Sequence, residues 1–196
     1  MKQFQYCLIT DRVLYDQPLR EVAMEAEKAG VDYFLLREKD LSPRELLSLA
    51  QDLRPLLHRT RMMIHARLDV ALACKADGVH LQKDNIPVAA VRSKYRNLTI
   101  GYSAHSFEEM KMVEEEGADY VFISPIFQPL SKQSNLPPHG LATLTGWTTR
   151  MSIPVFALGG VSHQNVSELE KAGCSGAAGI SLFVQKRMFT SSGMVI

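Results

Sequence analysis

Glu27-Lys-Ala-Gly-Val-Asp-Tyr-Phe-Leu-Leu36 leads from the end of a helix pattern, through a glycine, into four aromatic or aliphatic residues. The pattern describes a helix that stops on Gly and a tight turn into a buried parallel strand. It returns as Glu115-Glu-Gly-Ala-Asp119, as Glu170-Lys-Ala-Gly-Cys-Ser175 and, more loosely, as Cys74-Lys-Ala-Asp-Gly-Val-His80. Around these phrases lie eight short apolar, β-branched or aromatic runs, at 5–10, 33–38, 62–65, 78–81, 99–104, 120–125, 155–160 and 176–181, all read as strands. The segments between them read as helices. Leu19, Val22, Ala23 and Ala26 have helical spacing within 18–28. Segments 42–57 and 106–116 each start on a Ser with Glu three positions on (Ser42 and Glu45, Ser106 and Glu109), the capping-box arrangement. Segment 162–172 opens on the cap candidate Ser162 and stops at Gly173. An even series of strands can close and leave no edge, so the expected fold is α/β, a compact single-domain (β/α)8 TIM barrel over residues 1–196. The competing doubly wound sheet normally has a glycine-rich turn after its first strand, and Thr10-Asp-Arg-Val-Leu14 contains no glycine.

The composition agrees with one globular domain. Apolar residues make up 46% and charged residues 22% of 196, close to ordinary usage. Lys and Arg number 22 against 21 Asp and Glu, a balance that gives no reason to expect nucleic acid or a membrane surface as partner. The longest apolar runs fall far short of the roughly 20 residues of a membrane span. Met1-Lys-Gln-Phe4 opens without a signal-peptide pattern. Cys7, Cys74 and Cys174 are odd in number and widely spaced, which argues against zinc and a disulfide framework and for reduced thiols in a cytoplasmic protein.

In a barrel, chemistry gathers where strands end. The second strand ends in Arg37-Glu-Lys39; the two cations either grip an anion, Arg forking onto its oxygens, or pair with Glu38 or Asp40. The third ends in His65, a catalyst or a structural hydrogen-bonding group, followed by Arg67. His80, inside the fourth, reads as structural. The fifth ends in Ser103-Ala-His-Ser106. There a helix N-terminus disfavours imidazolium and suits His105 as a base, the alternative being that it caps or packs the turn. Residues 126–140 (IFQPLSKQSNLPPHG) carry three prolines and Lys132, a loop of the length that active-site lids have. Gly159-Gly160 and Ile180-Ser181 close the last two strands and together make a phosphate cradle of the kind barrels build there. The terminal residues 190–196 read as frayed.

The set Leu8-Ile-Thr-Asp11, Leu36-Arg-Glu-Lys39, Ala76-Asp-Gly-Val-His-Leu81, Gly101-Tyr-Ser-Ala-His-Ser106, Gly117-Ala-Asp-Tyr120, Ser124-Pro-Ile-Phe127, Lys132, Ile153-Pro-Val155 and Leu158-Gly-Gly160 resembles the thiamine phosphate synthase/TenI family over nearly the whole chain. The resemblance implies a (β/α)8 barrel that binds a small phosphorylated thiazole. Arg37 and Lys39 would hold pyrophosphate; Gly159, Gly160, Ile180 and Ser181 would hold the thiazole phosphate. His65, Ser103 and Lys132 would also face the ligand, and relatives suggest a homodimer. The synthase joins a pyrimidine pyrophosphate to thiazole phosphate with Mg2+ assistance. It has Asn-Asp after strand three, where this chain has His65-Ala66, and a second metal Asp that aligns with Asn85, beside Asp84. Ser131 stands where a Thr is usual, and the Thr-rich pyrophosphate loop has become Gln128-Pro-Leu-Ser-Lys132. Hard cations need carboxylate oxygens, so no metal ligand is expected here. The leading expectation is therefore the TenI-like, cofactor-free thiazole tautomerase, with His105 as acid/base. The alternatives are the synthase, with Mg2+ at a remodelled site, and a non-catalytic thiazole or thiamine phosphate sensor.

Overall fold

The computed structural model describes residues 3–128, 136–180 and 182, and the backbone of 189–190 and 193–194. Eight parallel strands run in sequence order around a closed barrel: β1 Gln5–Ile9, β2 Tyr33–Leu36, β3 Arg61–His65, β4 Gly78–Leu81, β5 Thr99–Ala104, β6 Tyr120–Ile123, β7 Val155–Ala157 and β8 Gly176–Gly179. The helices are α1 Leu19–Ala29, α2 Pro43–Leu53, α3 Leu68–Ala73, α4 Val88–Lys94, α5 Phe107–Glu115, α6 Gly140–Thr148 and α7 Val166–Lys171. A short antiparallel pair, β9 Phe189–Thr190 and β10 Gly193–Met194, stands where fraying was expected. No helix of the described residues is long and apolar enough to cross a membrane.

The chain divides into two compact units, Tyr6–His80 with Ile180–Ile196, and Met1–Gln5 with Leu81–Gly179. In the first, β1 pairs β2, β2 pairs β3 and β3 pairs β4, around buried Leu8, Phe34, Leu36, Met62 and Ile64. Burying each such side chain contributes about 1.5–3 kcal/mol. In the second, β5 to β8 pair in order around Tyr120, Phe122 and Phe156, whose ring centroids lie 5.4–5.7 Å apart. Gly101 gives the Tyr120 ring its place, because a Cβ there would overlap the phenol.

The recurring phrase has a structural reason. Asp32, Asp77 and Asp119 each form a reciprocal clamp with one residue near the start of the preceding strand. Their N–H groups donate to the carbonyls of Tyr6 (3.1 Å), Met62 (2.9 Å) and Ile100 (2.8 Å). Their carboxylates accept the N–H groups of those same residues at 2.8, 2.7 and 2.7 Å. Ser175 keeps the backbone half of the clamp, donating to the Val155 carbonyl at 2.8 Å. Glu27 of α1 ties down the entry to β3: its carboxylate accepts the N–H groups of His58, Arg59 and Thr60 at 3.2, 3.0 and 3.0 Å.

Several boundaries differ from the sequence reading. The strands expected to end at 38, 125 and 160 stop two or three residues sooner, because Glu38, Pro125 and Gly160 leave the ladder for the loops that carry the site. The capping box of α2 is complete, Ser42 and Glu45 each bonding the other's backbone. That of α5 is shifted: Ser106 Oγ accepts the Glu109 N–H at 3.2 Å, but Glu109 reaches back to the N–H of His105. Ser162 caps nothing. Asn165 accepts its N–H and donates to the Gly160 carbonyl, closing a turn that delays α7 to Val166. All three cysteines are buried and unpaired, and burial pushes the Cys174 thiol up to about 12.

Candidate functional site

At the carboxyl ends of β1 and β2 a buried polar knot precedes any ligand. The Thr10 hydroxyl donates to Glu38 Oε1 at 2.6 Å and accepts the Arg37 N–H at 2.9 Å. Arg12 donates to Glu38 Oε2 from its backbone (3.0 Å) and its guanidinium (3.2 Å). The same guanidinium forks onto both oxygens of Asp40 at 2.6 and 2.5 Å, a bidentate pair that a lysine could not make. Burial is nearly complete at the Glu38 side chain, which is 2% exposed.

This bears on the pairing alternative for Arg37 and Lys39. Both carboxylates that could have paired with them are occupied by Arg12, and among the described residues neither cation has an ion pair. Burial lowers the Arg37 pKa, with Asp11 and Glu38 pulling the other way. The Lys39 pKa is lowered first by the neighbouring Arg37 charge and then by burial. Two like charges held together unsatisfied favour an anion with several oxygens. Tyr15 also lies close to this knot; its hydroxyl is buried without a partner, and burial, then Glu38 and Asp11, raise its pKa.

His65 ends β3 in register with His80, their rings stacked with centroids 6.4 Å apart. Burial, then the His65 charge, hold the His80 pKa well below the ordinary value, so His80 is a neutral, buried group. Ala66 follows in the left-handed region (φ 61), and its N–H donates to the His80 carbonyl at 2.8 Å. Arg67 is paired with Asp69.

The second cluster belongs to the unit carrying β5 to β8. His105 follows β5, and its Nδ1 lies 2.9 Å from the Ser124 carbonyl oxygen. A carbonyl only accepts, so Nδ1 donates in this contact and Nε2 is the ring nitrogen left for other partners. The ring is exposed and does not cap α5, though its bond to Ser124 also ties the turn to the end of β6. Ser103 is half-buried in β5, in register with Phe122.

Gly159 and Gly160 sit at φ 87 and 68. A Cβ on Gly159 would lie 2.8 Å from the Pro125 Cα, and one on Gly160 would lie 2.6 Å from the Gln128 carbonyl oxygen, so only glycine fits. Ile126 and Phe127 donate to the carbonyls of Leu158 and Gly159. Among the described residues the N–H groups of Gly159, Gly160 and Val161 donate to nothing, which leaves three consecutive donors at one strand end. Ile180 follows β8, half-buried. Lys132, Ser131 and Ser181 lie outside the described residues.

A divalent cation finds a poor donor set. Ala66 has no oxygen in its side chain, and Asn85 Oδ1 accepts the Gln82 N–H at 2.9 Å. Asp84 is one exposed carboxylate, and no group of three metal-ligating side chains occurs among the described residues. The residues do not fit Mg2+.

Sequence reasoning missed Arg12, Thr10 and Ser124. The pattern Thr10-Asp-Arg12 facing Glu38-Lys-Asp40 across adjacent strand ends could have revealed the first two.

Comparison with known proteins gives a consistent result. A family described as “Thiamine monophosphate synthase” matches residues 6–183. A protein of Aquifex aeolicus named “Putative thiamine-phosphate synthase 2” is 41% identical over 179 residues, 90% of this chain and 96% of that one. A “Thiamine-phosphate synthase” of Syntrophomonas wolfei is 38% identical over 178 residues, covering 89% and 85%. Among solved structures, “Thiamine phosphate pyrophosphorylase from Pyrococcus furiosus” superposes with a TM-score of 0.83 at 32% identity, over 94% of this chain and 90% of that one.

Proposed function

This chain belongs to the thiamine monophosphate synthase family, and on that premise we propose that it joins a pyrimidine carrying a diphosphate to thiazole phosphate, releasing pyrophosphate. The observation that carries the proposal is the Arg37–Lys39 pair, which makes no ion pair among the described residues while Arg12 holds Glu38 and Asp40. A diphosphate supplies the oxygens and charge that these cations lack, and stabilising it as it departs is the electrostatic task of the reaction. The relatives named thiamine-phosphate synthase support this choice over the isomerisation put first from sequence. In this reading the amides of Gly159, Gly160 and Val161 take the thiazole phosphate, as strand-end amides do in barrels. In the same reading the resemblance assigns ligand-facing roles to His65, Ser103 and Ile180, and to Lys132 and Ser181 outside the described residues. The C–N bond forms as the C–O bond to diphosphate breaks, and the leaving group takes the electron pair.

A second reading, thiazole tautomerisation, is favoured by one specific observation. His105 presents Nε2 as a base, its tautomer set by the Nδ1 bond to Ser124, and proton transfer needs neither Mg2+ nor a diphosphate. The deciding experiment incubates the purified chain with both synthase substrates, and separately with the carboxythiazole phosphate tautomer. Pyrophosphate release supports condensation. Aromatisation alone, lost in His105→Gln, refutes condensation in favour of isomerisation. Binding without turnover in both assays refutes both and leaves a sensor.

A further inference from the structure

We propose that this chain holds the diphosphate of its substrate through Arg37 and Lys39, without a divalent cation bridging it to the protein. The proposal rests on the condensation reading and sharpens it. A metal-bridged diphosphate needs carboxylate oxygens on the protein side, and most carboxylates near these strand ends are committed elsewhere. Glu38 is taken by Thr10 and Arg12, Asp40 by Arg12, and Asp69 by Arg67. At the two positions where the resemblance places metal carboxylates stand Ala66, a methyl group, and Asn85, whose side-chain oxygen already accepts the Gln82 N–H. Asp11 after β1 and the exposed Asp84 after β4 are each a single carboxylate outside the ion pairs of the described residues.

The positive side has the complementary character. With Glu38 and Asp40 held by Arg12, two adjacent cations remain whose charges oppose each other, so binding a polyanion relieves a repulsion that a metal-bridged site would not carry. Arg37 offers a planar fork, and Lys39 a mobile point charge. Together they replace the two functions a bridging cation performs, neutralisation and orientation.

The test is calorimetric titration of the full chain with inorganic pyrophosphate, once in EDTA and once in excess Mg2+. The expected result is binding in EDTA that Mg2+ does not tighten. Arg37→Gln and Lys39→Gln should each weaken it about tenfold or more, the range for lost charge-assisted hydrogen bonds. Lys28→Gln, an exposed cation on α1, should leave it unchanged. Circular dichroism identifies any variant that has unfolded; Lys39, being exposed, supplies a substitution with little effect on packing. Binding that appears only with Mg2+ overturns the metal-free grip and leaves the condensation reading standing. Metal-free binding indifferent to both substitutions also overturns the grip. No binding under either condition overturns the grip and the condensation reading together.

Discussion

Glu27→Gln should destabilise the protein by about 1–2 kcal/mol near neutral pH and by almost nothing in strong acid. Burial alone would raise the Glu27 pKa. The N–H groups of Thr60, Arg59 and His58, with the Thr60 hydroxyl, outweigh it and bring the value from 4.5 to about 2. At roughly 1.4 kcal/mol per pH unit that difference corresponds to about 3 kcal/mol. Solvent and the exposed partner Arg59 screen part of it, which leaves about 1–2 kcal/mol. The folded value lies below the unfolded one, so the stabilisation is complete above pH 4.5 and is lost as pH falls from 4.5 towards 2. Glutamine keeps the shape and one acceptor but no charge, so it should resemble the protonated acid. Urea unfolding of the wild type and the variant, from about pH 7 down to about pH 3, measures the gap. Comparing the two chains matters because Asp40, Glu45, Asp69 and Glu114 are also lowered and titrate in both. No gap at neutral pH, or a gap constant across the range, refutes the clamp between α1 and the entry to β3.

Two further outcomes follow from the site. Arg12→Gln releases Glu38 and Asp40 to compete for Arg37 and Lys39, so inorganic pyrophosphate affinity should fall about three- to tenfold although Arg12 touches no ligand. Unchanged affinity in calorimetry, with the fold retained, would show that the knot does not keep those cations free. Gly160→Ala places a Cβ 2.6 Å from the Gln128 carbonyl at φ 68. It should cost about 1–3 kcal/mol in urea unfolding and weaken binding of inorganic phosphate; an unshifted urea midpoint contradicts the geometry.

The barrel was legible in the sequence because its signals are local. A helix that stops on Gly, a clamp residue and a buried strand follow one another within ten residues, and the repetition of that unit specified α/β alternation before any contact was known. The short helices α3 and α4 were not singled out: six and seven residues are too few to show a helical period. The need for glycine at 159 and 160 was readable too, since a glycine doublet ending a strand points to backbone that leaves no room for a side chain. His105 was named from its place before a helix, but the acceptor that orients its Nδ1, the Ser124 carbonyl, lies nineteen residues away.

By itself, then, the sequence determined the order of strands and helices and which residue types stand at the strand ends. Which charges there are free was a tertiary matter. Arg37-Glu-Lys-Asp40 is neutral as a string and equally compatible with two internal salt bridges. Only the parallel pairing of β1 with β2 brings Arg12, twenty-six residues from Glu38 in the chain, onto both carboxylates. Ion pairing depends on distance in space, and a closed barrel sets those distances through strand register, which no local pattern contains.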